Sequence, residues 1–493
     1  MNSPTSHTVR IWLLIALALA ALAVVAVSLF AQAEGPSKSS SNRSSAGEDQ
    51  PALSSGASAE LRSAVTVAGL MEHERRFQAI AEKHGGNRAT GTPGYNASAD
   101  YVARELRRAG YGVSVQSFEL PFFEEVEAAR LERKGPAGAE YALEEDFVLM
   151  EYSGGGEATA RVLPVDAGPG ASASGCETED FVGFPEGNIA LLRRGACTFD
   201  RKAGNAEDAG ASAAVIFNDG GPGRNGVVRG TLGGPGVEIP VFGASYEVGK
   251  EFLTAAGRGG AEVHLSARTV ARDRETSNVI AESPWGEERR TVMVGAHLDS
   301  VPEGPGINDN GSGSATVLEI ALQMSRLEIE PRNRVRFAFW GAEELGLLGS
   351  KHYVEHLSRE EVGDIAAYLN FDMVGSPNFV RNVYEGQDAT EEVFTHYFAS
   401  RDTRVEVNSA LDGRSDHGPF AARGIPTGGL FSGAEGIKTK EEAAAFGGNA
   451  GAPHDPCYHR ACDDVDNLDE EALNHFSDAA AHATVTLAND PPR

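Results

Sequence analysis

Acidic and histidine side chains stand at the ends of three apolar segments of this sequence. In chain order they are His297 with Asp299, Glu343 with Glu344, and Asp372. In an open α/β sheet the carboxyl ends of the strands meet at one edge, where ligand sites form. Imidazole and carboxylate groups are ligands of zinc, and manganese and cobalt accept them too. The pattern therefore predicts a metal centre at one edge of a sheet.

Two further segments carry the same chemical groups in constrained loops. The string INDNGSG places Asp309 in a glycine-rich loop, and His459 follows Tyr458 between Cys457 and Cys462. Taken singly, a histidine at a strand end is usually a hydrogen-bonded structural residue, and an aspartate in such a loop usually forms a turn. Five carboxylate or imidazole sites at strand ends or in tight loops together favour a shared chemical role.

The adjacent residues Glu343 and Glu344 could have two different chemical roles. In a helix these side chains would point about 100° apart, so one could bind a metal ion while the other faces a water molecule. Metal-assisted hydrolysis needs one carboxylate as ligand and one as general base. The structural alternative is a pair that only begins a helix. Asp299 lies two residues beyond His297 on the same side of an extended chain, where it can fix the imidazole tautomer.

Composition excludes several classes of function. The 493 residues are enough for two domains, and with 41% hydrophobic and 23% charged residues most of the chain is expected to form a soluble globule. Asp and Glu number 71 against 43 Lys and Arg, for a net charge of -28. Such acidity repels phosphate backbones, so we expect no nucleic-acid partner. A single long apolar segment argues against a membrane transporter.

That apolar segment lies at the N-terminus and predicts export. Residues 11–30 are almost wholly apolar, preceded by Arg10 and followed by the string AQA that ends at Ala33. We interpret residues 1–33 as a signal peptide cleaved after Ala33. The alternative is a retained anchor on the outer face of the cytoplasmic membrane, because about 20 apolar residues span a bilayer. Contact with a membrane is expected only in that case. Residues 34–60, rich in Ser, Gly and Ala, are predicted to form a flexible linker.

The four cysteines are expected to form disulfides in the oxidising environment outside the cell. Cys457 and Cys462 are five positions apart and would close a tight loop. Cys176 and Cys197 are the natural second pair. Four free thiols would be unusual in an exported protein.

Hydrophobic periodicity predicts an α/β domain with an insertion. Helical spacing covers 70–83 and 97–109, and 111–120 alternates like a strand. The stretch 122–267 differs, with many glycines, β-like runs such as 188–192 and 213–217, and a short helix near 202–209. From 277 onward, strand-like runs end in polar loops and precede helix-like segments. The predicted domains are 61–125 with 269–493, interrupted by 126–268.

The strings AHLDS, INDNGSG, AEELGLLGS, NFDMVG and CYHRACD resemble, in order and approximate spacing, the motifs of secreted dizinc aminopeptidases of the leucine-aminopeptidase type. The resemblance covers about residues 70–125 and 275–490. It implies a mostly parallel mixed sheet flanked by helices, the zinc-peptidase (phosphorylase-like) fold. The insertion resembles a protease-associated (PA) domain in GNIALLRRG and CTFDRKAGNAEDAGASAAVIFND. Such domains cover or shape access to peptidase active sites, and a passive spacer is the alternative.

The same resemblance implies roles for the site residues and two zinc ions per chain. Asp309 would bridge the two ions, His297 and Asp372 would complete one site, and Glu344 and His459 the other. Glu343 would be the general base, and Tyr458 would donate a hydrogen bond to the oxyanion. Arg414, in GRSDHGPF, would contact the substrate or product backbone, or form an ion pair with Asp416 instead.

The expected function is zinc-dependent removal of N-terminal residues from peptides, large apolar residues such as Leu above all, by a hydroxide shared between the two ions. One alternative is a carboxypeptidase or dipeptidase that acts on acidic residues, but lysine is scarce and Arg414 is the only basic residue that the motifs place near the metals. Cyclisation of N-terminal glutamine is disfavoured because related enzymes use one zinc. An inert binding ectodomain is disfavoured because it would have lost ligands or the general base.

Overall fold

The computed structural model describes residues 50–135, 138–168, 173–258, 260–386, 389–408 and 413–491, with side chains from residue 56 onward. The predicted signal segment 1–33 lies outside these residues. In the described part of the chain, no helix has the length and apolar character needed to cross a membrane.

The strands belong to one 14-stranded sheet. In chain order they are β1 Gly112–Arg133, β2 Ala139–Glu140, β3 Phe147–Leu149, β4 Gly156–Pro164, β5 Ile189–Arg193, β6 Ala213–Phe217, β7 Val241–Ala244, β8 Ala261–Glu282, β9 Glu287–His297, β10 Asn333–Trp340, β11 Ile365–Phe371, β12 Asn382–Tyr384, β13 Glu406–Asn408 and β14 Thr427–Phe431.

The α-helices are α1 Gln50–Ala64, α2 Val67–Lys83, α3 Pro93–Arg108, α4 Phe199–Asp208, α5 Tyr246–Ala256, α6 Gly313–Arg326, α7 Leu348–Glu355, α8 Arg359–Asp364, α9 Ala389–Ala399, α10 His417–Ala422, α11 Lys440–Phe446 and α12 Glu470–Asn489. Shorter helical segments lie at Thr178–Phe181, Ile307–Ser312 and Val465–Asn467.

Parallel strands form the centre of the part of the sheet that lies outside the insertion. β9 lies between β10 and β11 and runs parallel to both, and β14 runs parallel to β11. Every residue from Thr291 to His297 of β9 is buried. Strands buried on both faces read as continuous apolar runs, which is why this region could be recognised in the sequence. The predicted α/β class is confirmed.

Helices cover both faces of these strands. Successive strand residues point to opposite faces, and accordingly Val292 and Val294 belong to one hydrophobic cluster while Met293 belongs to another. The first cluster includes apolar residues from α2, α3, α6, α9 and α12. The second joins Trp340 and Tyr368 to residues of α7 and α10. The strand ends are therefore held between two packed layers.

A long ribbon of β1 and β8 connects this part of the sheet to the insertion. These strands pair antiparallel from Gly112↔Glu282 to Arg133↔Val263, with bulges near Glu127. The C-terminal end of β8 also pairs with β10, and its N-terminal end with β4. Beyond β4 the sheet continues through β5, β6, β7 and β3. One continuous sheet thus passes through both halves of the molecule.

Two elements differ from the sequence-based expectations. β1 extends well beyond 111–120 because β8 supplies backbone partners along its whole length. The predicted linker 34–60 is wrong at its end, since α1 covers residues 50–60. Leu61 and Val65 are buried in the main cluster, and Ser58 hydrogen-bonds His482 of α12 at 2.8 Å. Composition alone did not reveal these tertiary contacts.

Candidate metal centre

The predicted ligands converge at the carboxyl ends of three adjacent strands. His297 is the last residue of β9, Asp372 directly follows β11, and the glutamate pair Glu343-Glu344 follows β10. Since β10, β9 and β11 are parallel neighbours, these ends meet at the same edge. The structure brings all of these side chains together.

Glu343 and Glu344 lie in a turn rather than in a helix. The Glu343 carbonyl accepts hydrogen bonds from the backbone amides of Gly346 and Leu347, both at 2.8 Å. Leu347 has a φ of 64°, and α7 begins only at Leu348. The helical interpretation of this pair is therefore wrong. A glycine-rich turn, not helical geometry, directs both carboxylates into the cluster.

Asp309 lies between the two histidines. Its Oδ1 atom is 3.2 Å from Nε2 of His297, and its Oδ2 atom is 3.2 Å from Nε2 of His459. Asp372 Oδ1 lies 3.3 Å from the same nitrogen of His297, and Glu344 Oε2 lies 3.1 Å from that of His459. One carboxylate thus faces two separate groups of ligand atoms, each with one imidazole and one further carboxylate.

His297 is oriented by contacts on its second ring nitrogen. Its Nδ1 lies 3.2 Å from the backbone carbonyl oxygen of Asp299 and 3.6 Å from the Asp299 carboxylate. The carboxylate itself accepts hydrogen bonds from Thr90 Oγ1 at 3.1 Å and from the Glu343 amide at 3.3 Å. Asp299 therefore acts on the imidazole mainly through its backbone oxygen, and its side chain connects β9 to the glutamate turn.

A disulfide loop presents Tyr458 and His459. Cys457 and Cys462 are joined, as predicted, and Cys176 is joined to Cys197 in the insertion. The Tyr458 and His459 rings stack with centroids 3.9 Å apart. The small loop fixes both side chains on the open side of the cluster.

Two aspartates that the sequence analysis missed support the Asp309 loop from behind. Asp463 accepts hydrogen bonds from the amides of Asn308 and Asp309 at 2.9 and 3.0 Å. Asn467 donates to both Asp463 and Asp455, at about 3 Å in each case. These aspartates flank the Cys457–Cys462 loop, so this network ties the His459 and Asp309 loops together. Their position around the cysteine pair was the only signal in the sequence.

Arg88 is a second residue that the sequence analysis missed. It is fully buried, and its guanidinium donates hydrogen bonds to the carbonyl oxygens of Leu298, Pro305 and Gly306. These carbonyls belong to the segment between His297 and Asp309. One side chain thus holds the chain segment that connects two predicted ligands.

The pKa values of several side chains in the cluster are shifted strongly from their usual values. Burial alone would lower the pKa of His459, but hydrogen bonds to Asp309 and Glu344 raise it to about 10. Burial alone would raise the pKa of Asp309, but the bonds from His297 and His459 lower it to about 2. Burial raises the pKa of Glu343 well above its usual value, and the pKa of Glu344 to about 7. Packed carboxylates of this kind need nearby positive charge.

The residues present fit metal ions. Ligand atoms of His297, Asp309 and Asp372 lie within 4.8 Å of one another, and so do those of Asp309, Glu344 and His459. Glu344 Oε1 is buried and has no hydrogen-bond partner among the described residues. Two imidazoles with several carboxylates form a donor set typical of zinc. A cation would satisfy the unpaired oxygen and offset the crowded negative charge.

A small cavity opens onto this cluster. Its volume is about 70 Å³, and besides five residues of the cluster and Tyr458 it is lined by Met373, Tyr384, Arg414, Ser415, Phe431 and Ala434. Ser415 donates a hydrogen bond to Asp372 Oδ2 at 2.6 Å. Arg414 forms its ion pair with Glu435, at 3.5 Å, and not with the buried Asp416. The lining of the cavity therefore contains both apolar side chains and predicted metal ligands.

Known proteins resemble this chain over most of its length. The sequence profile of peptidase family M28 matches residues 278–484, and that of the PA domain matches residues 158–252. An aminopeptidase of Pseudomonas aeruginosa is 45% identical over 432 residues, which are 84% of this chain and 79% of the relative. Leucine aminopeptidase 2 of Trichophyton rubrum is 34% identical over 87% of this chain and 86% of its own. The structure of BSAP, a zinc aminopeptidase from Bacillus subtilis, superposes with a TM-score of 0.54 at 26% identity, covering 87% of this chain and 98% of that one.

The fold, the strand-end site and these relatives define the class of protein as a metallopeptidase. The chain belongs to peptidase family M28, in which it is an aminopeptidase that carries an inserted PA domain. Peptides are therefore its class of substrate, and zinc is the metal that its relatives support.

Proposed function

We propose that this aminopeptidase binds two zinc ions and removes single, mainly large apolar residues from peptide N-termini. The observation that carries the proposal is the position of Asp309, whose two oxygens lie 3.2 Å from two different histidines. Asp309 would be the bridging ligand, His297 with Asp372 would hold one ion, and Glu344 with His459 the other. Zinc, when bound, would supply Lewis acidity and a water acidic enough to ionise near neutral pH.

Glu343 and Tyr458 are proposed to move the proton and to stabilise the oxyanion. Glu343 is the glutamate of the pair without a hydrogen bond to either histidine in the described structure, which leaves its carboxylate available as a general base. Burial raises its pKa, so the ionised carboxylate is a stronger proton acceptor than a free one, as a group that takes a proton from water and returns it to the leaving amine requires. Burial raises the pKa of Tyr458 as well, so its hydroxyl remains a proton donor to the oxyanion.

The size of the cavity supports action at a chain end. At about 70 Å³ it is much smaller than ordinary ligand pockets of roughly 300–1,000 Å³, so it can hold one side chain rather than an internal stretch of peptide. Among the otherwise polar lining, Met373, Phe431 and Ala434 supply apolar contacts, which favour a Leu-like residue. Arg414 at its rim is proposed to contact the substrate or product backbone.

The charge at the cavity argues against a preference for acidic residues. Arg414 is the only basic residue besides histidine in the cavity lining, and Glu435 already pairs with it. A site for acidic C-terminal residues would need more positive charge to hold two carboxylates.

We further propose that the protein is exported through residues 1–33 and acts outside the cell. The two disulfides are in keeping with an oxidising environment. The insertion is proposed to comprise residues 126–268. Two hydrophobic clusters, one around Leu191 and Val215 and the other around Leu192 and Ile216, take all their residues from this range.

The test is hydrolysis of leucine p-nitroanilide by the purified protein, untreated, after chelation and after zinc is restored. We expect activity that chelation abolishes and zinc recovers, with two zinc ions per chain by elemental analysis. N-acetyl-leucine p-nitroanilide is the matched control, since a blocked amine should prevent turnover. Equal hydrolysis of both substrates, or full activity with one zinc per chain, would contradict the proposal.

A further inference from the structure

Two histidines outside the candidate centre lie side by side on the surface. His352 belongs to α7 and His356 follows its last residue, so the two stand four positions apart on one helical face. Their ring centroids are 4.1 Å apart with an angle of 41° between the rings. His352 is partly exposed and His356 is exposed. Two imidazoles are thus already in contact at a place that solvent can reach.

The hydrogen bonds of this pair leave nitrogen lone pairs available. His356 Nδ1 lies 2.7 Å from the carbonyl oxygen of His352, and because a carbonyl only accepts, Nδ1 must carry the proton. The lone pair of His356 is therefore on Nε2. Neither ring nitrogen of His352 has a hydrogen-bond partner in the described part of the chain. Metal-binding histidines typically donate their other N–H to a carbonyl in this way.

The surroundings hold His352 in place and favour its neutral form. The Phe118 ring stacks on it with centroids 4.9 Å apart and an angle of 19°. Burial, and next the neighbouring His356, lowers the pKa of His352, while Glu355 opposes this shift. A neutral imidazole is the form that binds a metal ion. The negative charge of Glu355 also favours a cation at this place.

We propose that His352 and His356 form a separate, exposed transition-metal site in which both imidazoles bind one divalent ion and water completes its coordination. Imidazole suits Cu²⁺, Ni²⁺ and Zn²⁺, and affinity is expected to be highest for Cu²⁺. The site does not depend on the catalytic roles assigned above, since it shares no residue with the candidate centre.

The test is a titration of the zinc-loaded, full-length protein with Cu²⁺, followed by calorimetry and electron paramagnetic resonance. We expect one equivalent of Cu²⁺ with two coordinated nitrogens, while elemental analysis shows that zinc is retained. His356→Ala and His352→Ala should each abolish the two-nitrogen signal. His396→Ala, which removes an exposed histidine of α9, is the matched control and should leave it unchanged.

Three results would overturn the proposal. They are the absence of a two-nitrogen Cu²⁺ signal in the wild-type protein, an unchanged signal in the His352→Ala/His356→Ala double variant, and a loss of zinc equal to the copper bound. Circular dichroism and turnover of leucine p-nitroanilide distinguish a lost metal site from a misfolded variant, because neither histidine belongs to the proposed catalytic machinery.

Discussion

At the scale of single residues, the two histidines of the candidate centre bind protons when no metal ion is present. Burial disfavours charge on His297, yet Asp372 and Glu343 raise its pKa well above the usual value. The pKa of His459 reaches about 10 through Asp309 and Glu344. Without metal, both imidazoles are therefore protonated at neutral pH, whereas a ligand must be neutral. Binding of metal and loss of protons must go together.

Zinc binding to the metal-free protein is expected to release more than two protons at pH 7, one from each histidine and about half of one from Glu344, whose pKa is about 7. Because the pKa of His459 is raised, protons compete with zinc below pH 10, and zinc affinity should rise with pH up to about that value. Calorimetric titrations in buffers of different ionisation enthalpy measure the number of protons. Release of fewer than one proton would contradict this electrostatic account.

The two adjacent glutamates should respond differently to substitution. Glu344 hydrogen-bonds His459 at 3.1 Å within a group of three ligand atoms, so Glu344→Ala should lose zinc and activity together. Glu343→Ala should retain zinc and lose nearly all turnover, because it removes only the proposed base. Zinc content and kcat are measured on both variants, each being the control for the other. Loss of zinc from Glu343→Ala would mean that the two roles are exchanged.

At the scale of elements, the sequence was informative wherever one segment carried its own signal. Apolar runs that end in His297 and Asp372 located the strands and their active edge, because buried parallel strands have a distinctive pattern. The contacts of Arg88 and Asp463 were not predictable, since each joins segments far apart in the chain. The turn at Glu343 was also missed, because a short acidic pair fits a helix start equally well.

Arg88 is expected to stabilise the segment that carries Asp309. Arg88→Met would leave the Leu298 and Pro305 carbonyls without a donor, the Gly306 carbonyl with only the Gly311 amide, and Glu74 without the nearby cation that lowers its pKa. We expect the free energy of unfolding to fall by about 2–6 kcal/mol, because each of the two carbonyls left without a donor costs about 1–3 kcal/mol. Urea unfolding of the zinc-free protein measures the change.

Glu74→Gln is the matched control for this substitution. Both Glu74 carboxylate oxygens are buried without a hydrogen-bond partner among the described residues, so neutralising them should cost little. Combined with Arg88→Met, it should recover part of the lost stability. An Arg88→Met variant that unfolds at the wild-type urea concentration would show that the three hydrogen bonds do not support the segment.

At the scale of the whole molecule, one sheet runs through both halves of the chain, whereas the hydrophobic clusters are separate in the two halves. In chain order, the residues of the main cluster go from Val113 to Val279 with none in between, so the cluster contains no described residue of the insertion. The insertion has two clusters of its own, and it carries the Cys176–Cys197 disulfide. Among the described strands, only β1 and β8 belong to both halves. We therefore propose that the two halves are domains, each with its own hydrophobic core.

Removal of the insertion should leave a folded peptidase. Glu125 and Thr269 are paired in the ribbon, so a two-residue Asn-Gly turn can replace residues 126–268 and close a hairpin. We expect this variant to bind zinc and to hydrolyse leucine p-nitroanilide. The same variant with Glu343→Ala is the inactive control. An insoluble product, or one that binds no zinc, would show that the peptidase core depends on the insertion.

The ribbon also sets the order of events during synthesis. β1 pairs with β8, whose first residue, Ala261, emerges from the ribosome long after Gly112. At roughly 5–20 residues per second, β1 waits on the order of ten seconds for its partner. Once residues 261–268 have emerged, the insertion can assemble from contacts within its own range, and its assembly brings the ends of β1 and β8 together. Folding of the insertion thus shortens the loop that the peptidase half must close, and lowers the entropy lost in closing it.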